Sequence, residues 1–108
     1  MFPTDARLLN RAREKLVRLA RHRGVVLRQS YARVGKFALI EHQRHAHAKQ
    51  FKCANRMLKK LRTYLGRIIR DISRKIAGDN GLEAAFAPLL MLARRVREQQ
   101  QRRIEPRA

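Results

Sequence analysis

Apolar residues recur at intervals of three and four along nearly the whole chain. No stretch alternates in steps of two over a useful length, so the pattern predicts helices and no sheet. The first helix should start at Thr4, a good N-cap followed by Asp5, whose charge suits the positive end of a helix. Leu8, Leu9, Ala12, Leu16 and Leu19 form its apolar face, and Gly24 closes it after His22 and Arg23. Val25 to Gln29 reads as a short connector. Ser30 can cap a second helix with Tyr31, Val34, Phe37 and Ala38 on one face, which Gly35 weakens by roughly 1 kcal/mol relative to Ala.

The third segment has the strongest pattern. Phe51, Ala54, Leu58, Leu61, Leu65, Ile68, Ile72 and Ile76 make an apolar seam about three heptads long. Gly78-Asp79-Asn80-Gly81 then breaks the chain, and either Asp79 or Asn80 can cap a fourth helix. That helix carries Leu82, Ala85, Phe86, Leu89, Leu92, Ala93 and Val96, and Pro88 inside it should kink it or mark a false start. The chain therefore reads as all-α: a small helical hairpin or bundle around one long basic amphipathic helix. Residues 1–101 form the helical region and 102–108 a frayed basic tail.

Composition changes this picture in two ways. The chain has 108 residues, enough for one domain, with 27 Lys and Arg against 8 Asp and Glu, a net +19. Leu, Ile, Val and Phe supply about a quarter of it, above the level of roughly 20% below which highly charged chains stay disordered. A chain this short buries only about two-thirds of its unfolded surface, and its charge repels itself when compact. Marginal stability is expected unless a polyanion or a partner supplies counter-charge. The single cysteine fits a reducing compartment. No basic start followed by an apolar run marks a signal peptide. The longest apolar stretch, Ala84 to Ala93, contains Pro88 and is too short to span a bilayer. The expectation is a cytoplasmic protein that meets nucleic acid.

The charge is patterned. Lys49, Lys52, Arg56, Lys59, Arg67, Arg70 and Arg74 follow the period of the seam. At about 100° per residue their mean direction is close to opposite it. From Lys49 to Arg74 the rise is about 37 Å, enough to meet several phosphates, each of which would release counterions and make binding weaken steeply with salt. Arginine adds planar, bidentate contact with phosphate oxygens. No base-reading pattern is evident. Tyr31 and Tyr64 read as core, and the 6% aromatic content argues against a single-strand binder built on stacking. A basic amphipathic helix can also lie on anionic lipid, but the neighbouring amphipathic segments favour packing within the chain, so no membrane partner is expected.

Catalytic and metal chemistry find little support. His42, His45, His47 and Cys53 do not share a helical face, so no metal site is expected. Asp5, Glu14, Glu41, Asp71, Asp79, Glu83, Glu98 and Glu105 are scattered, whereas two-metal phosphoryl transfer needs carboxylates converging on ions about 4 Å apart. Asp71 sits among Arg67, Arg70, Arg74 and Lys75 and reads as an ion-pair partner, while Asp5 and Asp79 have capping roles. There is no Gly-rich phosphate loop, nucleophile elbow or Cys-His pair. The chain is expected not to be an enzyme by itself, with no catalytic residue, cofactor or small-molecule substrate.

Four strings, in order, carry a resemblance: Pro3-Thr4-Asp5-Ala6-Arg7-Leu8-Leu9-Asn10, Leu27-Arg28-Gln29-Ser30-Tyr31, Ala46-His47-Ala48-Lys49-Gln50-Phe51-Lys52 and Leu61-Arg62-Thr63-Tyr64-Leu65-Gly66-Arg67. Over roughly residues 3 to 101 the chain resembles the helical middle region of insertion-sequence-five type bacterial transposases. The resemblance implies descent from a DDE transposase, whose RNase H-like core uses three acids and divalent metal, usually magnesium, to cut and join DNA. None of the three acids has a counterpart here, and Asp5 takes no catalytic role from the resemblance. Gln43-Arg44-His45 and Cys53 depart from the family pattern, as does the end from Arg102 to Ala108.

The resemblance thus implies a fragment truncated at both ends and unable to catalyse transposition. DNA is the expected partner, bound without sequence preference through the stripe from Lys49 to Arg74. An alternative is an interaction module that binds or inhibits full-length transposase; another is a basic RNA-binding protein.

Overall fold

Helix boundaries in the computed structural model, which describes residues 3–47 and 51–104 and the side chains of 6–44 and 55–99, follow the capping chemistry of the sequence. Four helices succeed one another: α1 (Pro3–His22), α2 (Ala32–His47), α3 (Phe51–Ile76) and α4 (Asn80–Ile104). The described residues contain no strand. α1 opens at Pro3, one residue ahead of the predicted start at Thr4; proline suits a first helical turn, where its missing N–H would find no acceptor. The cap expected from the Thr4 and Asp5 side chains lies outside the described residues.

The end of α1 is a Schellman turn. Gly24 has φ +73°, the Val25 N–H reaches back to the Ala20 carbonyl at 2.8 Å, and the Gly24 N–H reaches that of Arg21 at 3.3 Å. At the start of α2, Ser30 Oγ accepts the Ala32 N–H at 3.3 Å, and the Tyr31 carbonyl accepts the Gly35 N–H at 2.8 Å. Tyr31 itself has φ +57°, a left-handed conformation that costs an L-residue about 1–2 kcal/mol. Its ring stacks on Tyr64 of α3 with centroids 4.9 Å apart, a contact that offsets part of this cost. Between the predicted caps of α4, the structure selects Asp79: its Oδ1 accepts the Leu82 N–H at 3.0 Å, while Glu83 Oε1 accepts that of Gly78.

α3 spans the predicted seam end to end. Leu58, Leu61, Leu65, Ile68, Ile72 and Ile76 are all buried, joined by Ile69; Phe51 and Ala54 lie outside the described side chains. α1 adds Ala6, Leu9, Ala12, Leu16, Val17 and Ala20, and α4 adds Phe86, Leu90 and Ala93. α1 and α3 touch each other and both remaining helices, whereas α2 and α4 do not touch. The bundle is thus a rhombus in section, with α1 and α3 across its short diagonal and α2 and α4 at its outer corners. No described helix is long and apolar enough to cross a membrane.

Four predicted core positions face solvent instead. Val34 and Phe37 are exposed, Phe37 by 62%, because α2 turns a face of small residues, Gly35 and Ala38, inward together with His42. Leu8 and Leu92 are also exposed. Each of Val34, Phe37 and Leu92 precedes a buried small residue, and one residue is about 100° of helical rotation. α4 passes through Pro88 as one helix, so the false-start alternative does not hold. Pro88 and Ala84 are both exposed, leaving the Ala84 carbonyl, which loses its helical donor, open to water. α4 continues to Ile104, three residues into the segment that composition marks as a tail.

Candidate nucleic-acid interface

Opposite the buried seam, α3 presents Arg56, Lys59, Arg67, Arg70 and Arg74, every one exposed. The run from Arg56 to Arg74 rises about 27 Å. Lys49 lies outside the described residues, as does the side chain of Lys52. The predicted stripe is therefore seen for its five described members.

Sequence periodicity missed what flanks the stripe. Arg67, Arg70 and Arg74 line an open hollow of about 570 Å³ that also receives Arg28 from the connector and Arg94 from α4. Tyr31, Ile69 and Asp71 contribute to its lining. Five guanidinium-bearing residues from three segments thus surround one space with a single carboxylate. Arg94 is steadied by Ser73, to whose Oγ it donates at 3.2 Å. Nothing in local spacing ties Arg28 or Arg94 to α3.

The single carboxylate is already engaged. Asp71 is 5% exposed; its Oδ2 accepts the Arg28 backbone N–H at 2.9 Å, and its Oδ1 lies 3.2 Å from Lys75 and 3.5 Å from Arg74. Lys75 also donates to the Val26 carbonyl. Burial alone would push the carboxyl up, but the Arg28 N–H, Lys75 and Arg74 outweigh it and hold Asp71 below the usual carboxylate range. The expected ion-pair role is thus present, with a further function: Asp71 fastens the connector to α3 and sets the base of Arg28.

A neighbouring group registers the local excess of positive charge. Arg97 donates from Nε to the Arg62 carbonyl at 3.0 Å. Its guanidinium is held below its ordinary value first by burial and then by repulsion from Arg62 and Arg70. Repulsion by like charges is the mark of cations gathered without enough acids to neutralise them.

α1 carries a second stripe that the sequence reading passed over. Arg7, Arg11, Lys15 and Arg18 recur at four, four and three residues and are all exposed, opposite the buried face of that helix. Of the histidines and cysteine weighed as metal ligands, His42 is fully buried in α2, and the side chains of His45, His47 and Cys53 lie outside the described residues. Among the described residues no group of three or more His, Cys, Asp and Glu converges.

Comparison with known proteins adds a partial relative. An uncharacterized protein, ORF8 in the nfe locus of Rhizobium meliloti, is 51% identical over 49 residues, which are 45% of this chain and 24% of that protein. The matched stretch thus spans about a quarter of that relative. No family model and no solved structure matches the chain.

Proposed function

We propose that the chain binds duplex DNA without sequence preference, as a helical module of the transposase type that its sequence resembles. The observation that carries this is the convergence of Arg28, Arg67, Arg70, Arg74 and Arg94 on one hollow whose one carboxylate, Asp71, is shared among the Arg28 N–H, Lys75 and Arg74 and leaves the cations in excess. Guanidinium forks match phosphate oxygens, and duplex DNA offers one charge per about 1.7 Å of axis. Arg56 and Lys59 continue the contact line along α3. These are contacts to backbone, which position a protein without reading sequence.

We assign no reaction to the chain. Asp71 clamps the connector, Asp79 caps α4, Glu83 supports the turn before it, and Glu14 accepts from Asn10. A second reading, an interaction module for full-length transposase, is favoured by one observation: Val34, Phe37 and Ile40 are exposed together on α2. Co-purification with an intact transposase that fails once these three are replaced by Ser would support it.

Fluorescence anisotropy of a labelled duplex tests the DNA reading. With about 5 phosphates neutralised, log K should fall with log salt at a slope near −4.5, a loss of roughly 500-fold between 50 and 200 mM. Binding absent at 50 mM, or indifferent to salt, would discard the reading. Strong preference for structured RNA in competition would transfer it to an RNA-binding protein.

A further inference from the structure

We infer that the protein holds two duplex segments at once, one along α3 and one along the outer face of α1. This rests on the duplex-DNA reading and goes beyond it by giving the second basic stripe a ligand.

Arg7, Arg11, Lys15 and Arg18 lie opposite Leu9, Leu16 and Ala20, which are buried against the rest of the bundle. None of the four cations is ion-paired among the described residues. Glu14, the neighbour of Lys15 in the chain, is engaged by Asn10 and lies 3.9 Å from Arg13. Arg7 to Arg18 rises about 17 Å, so the α1 stripe reaches several phosphates along one strand of a duplex.

The fold decides whether these cations extend the α3 interface or form another. α1 and α3 pack directly on each other across the short diagonal, and each turns its basic stripe away from its own buried side. The stripes therefore point in opposite directions. With helix axes about 8–10 Å apart and helices about 10–12 Å across, the two faces are separated by about 20 Å. A straight duplex lying on one face cannot reach the other. The separation is about two and a half screening lengths at physiological salt. Phosphates on the α3 face thus leave the α1 face attractive, and the two duplexes repel each other weakly.

The experiment uses the whole chain, a bead-immobilised duplex and a fluorescent free duplex of unrelated sequence at 100 mM salt. Retention of the free duplex should rise with protein and then fall once excess protein covers both duplexes separately. The variant R7Q/R11Q/K15Q/R18Q should lose about tenfold or more of this retention, while its affinity for a single duplex stays within about threefold. Glutamine keeps helix propensity near that of Arg and Lys, and circular dichroism checks that the variant is folded. The variant R67Q/R70Q/R74Q should lose both retention and most single-duplex affinity. A wild type that binds one duplex but retains no second overturns the inference and leaves the DNA reading standing. So does an α1 variant that bridges like wild type, since bridging would then come from self-association. Failure to bind even one duplex removes the DNA reading itself.

Discussion

The guanidinium of Arg13 fills the space in which residue 35 would carry a side chain. A Cβ built on Gly35 would stand 2.8 Å from Arg13 Nε and 3.1 Å from its Cζ. The relation recurs between Gly66 and Arg97, where a Cβ would meet Nε at 2.8 Å and Cζ at 2.9 Å. In both pairs an arginine crosses a neighbouring helix at a position that only glycine leaves open.

The pairs differ in how firmly the arginine is held. Arg13 is 3% exposed and donates to the Ser30 carbonyl and to Asn10 Oδ1, both at 3.0 Å. It cannot withdraw without stranding a buried cation. Gly35→Ala should therefore cost about 2–3 kcal/mol despite a helix-propensity gain of up to about 1 kcal/mol. Arg97 is only partly buried and keeps one hydrogen bond to the Arg62 carbonyl, so it can swing outward. Gly66→Ala should be within about 1 kcal/mol of neutral, and stabilising by about 1 kcal/mol once Arg97 is Ala. Urea unfolding of the two single variants and the double variant measures both. Equal costs at positions 35 and 66 would contradict the different holds on the two arginines.

The Asp71 clamp predicts a pH dependence. Its pKa is depressed in the folded chain, so it adds stability above about pH 4, where the unfolded carboxyl is ionised, and loses that contribution as pH falls through the folded value. Asp71→Asn should cost about 1–2 kcal/mol near neutral pH. The gap between wild type and variant should narrow below about pH 4. Unfolding curves at neutral pH and at several acid values would show this, and a constant gap would mean that the charge on Asp71 does nothing for stability.

Register in α4 can be read from two leucines. Leu90 is buried and Leu92 is 45% exposed. Leu90→Ala should cost about 2–3 kcal/mol and Leu92→Ala about 0.5 kcal/mol or less. The reverse order would restore the seam expected from spacing alone.

Arg28 and Arg94 should each contribute to duplex binding without supporting the fold. The clamp uses the backbone N–H of Arg28, which Gln retains, and Arg94 gives up only an exposed bond to Ser73. Each change to Gln should flatten the log K against log salt slope by about 1. Thermal melting should stay within a few degrees of wild type. An unchanged slope in both variants would place the hollow outside the interface.

α3 was legible because grease and charge repeat at one period through 26 uninterrupted helical residues. α2 was not, since its inward face is made of Gly35, Ala38 and His42, and a search for large apolar residues picks Val34 and Phe37. The ion pairs of Asp71 with Arg74 and Lys75 are local and could be read from spacing. Its grip on Arg28 crosses 43 positions and could not. Arg13 reads as a surface cation because its acceptor at Ser30 lies 17 positions away. Arg28 and Arg94 reach the hollow from separate segments, so no period links them to the stripe. The α1 stripe, by contrast, was visible in its spacing and was overlooked beside the longer one.

The stretch from Gly24 to Tyr31 is tied down at both ends and in the middle: by the turn that ends α1, by Asp71 and Lys75 on α3, and by Arg13 on the Ser30 carbonyl. Its wandering is removed when the chain folds, at roughly 1–2 kcal/mol per backbone residue. An anion arriving at Arg28 then has only side-chain torsions left to freeze, about 0.5–1.5 kcal/mol. An irregular loop anchored in this way captures its ligand with nearly the economy of a helix.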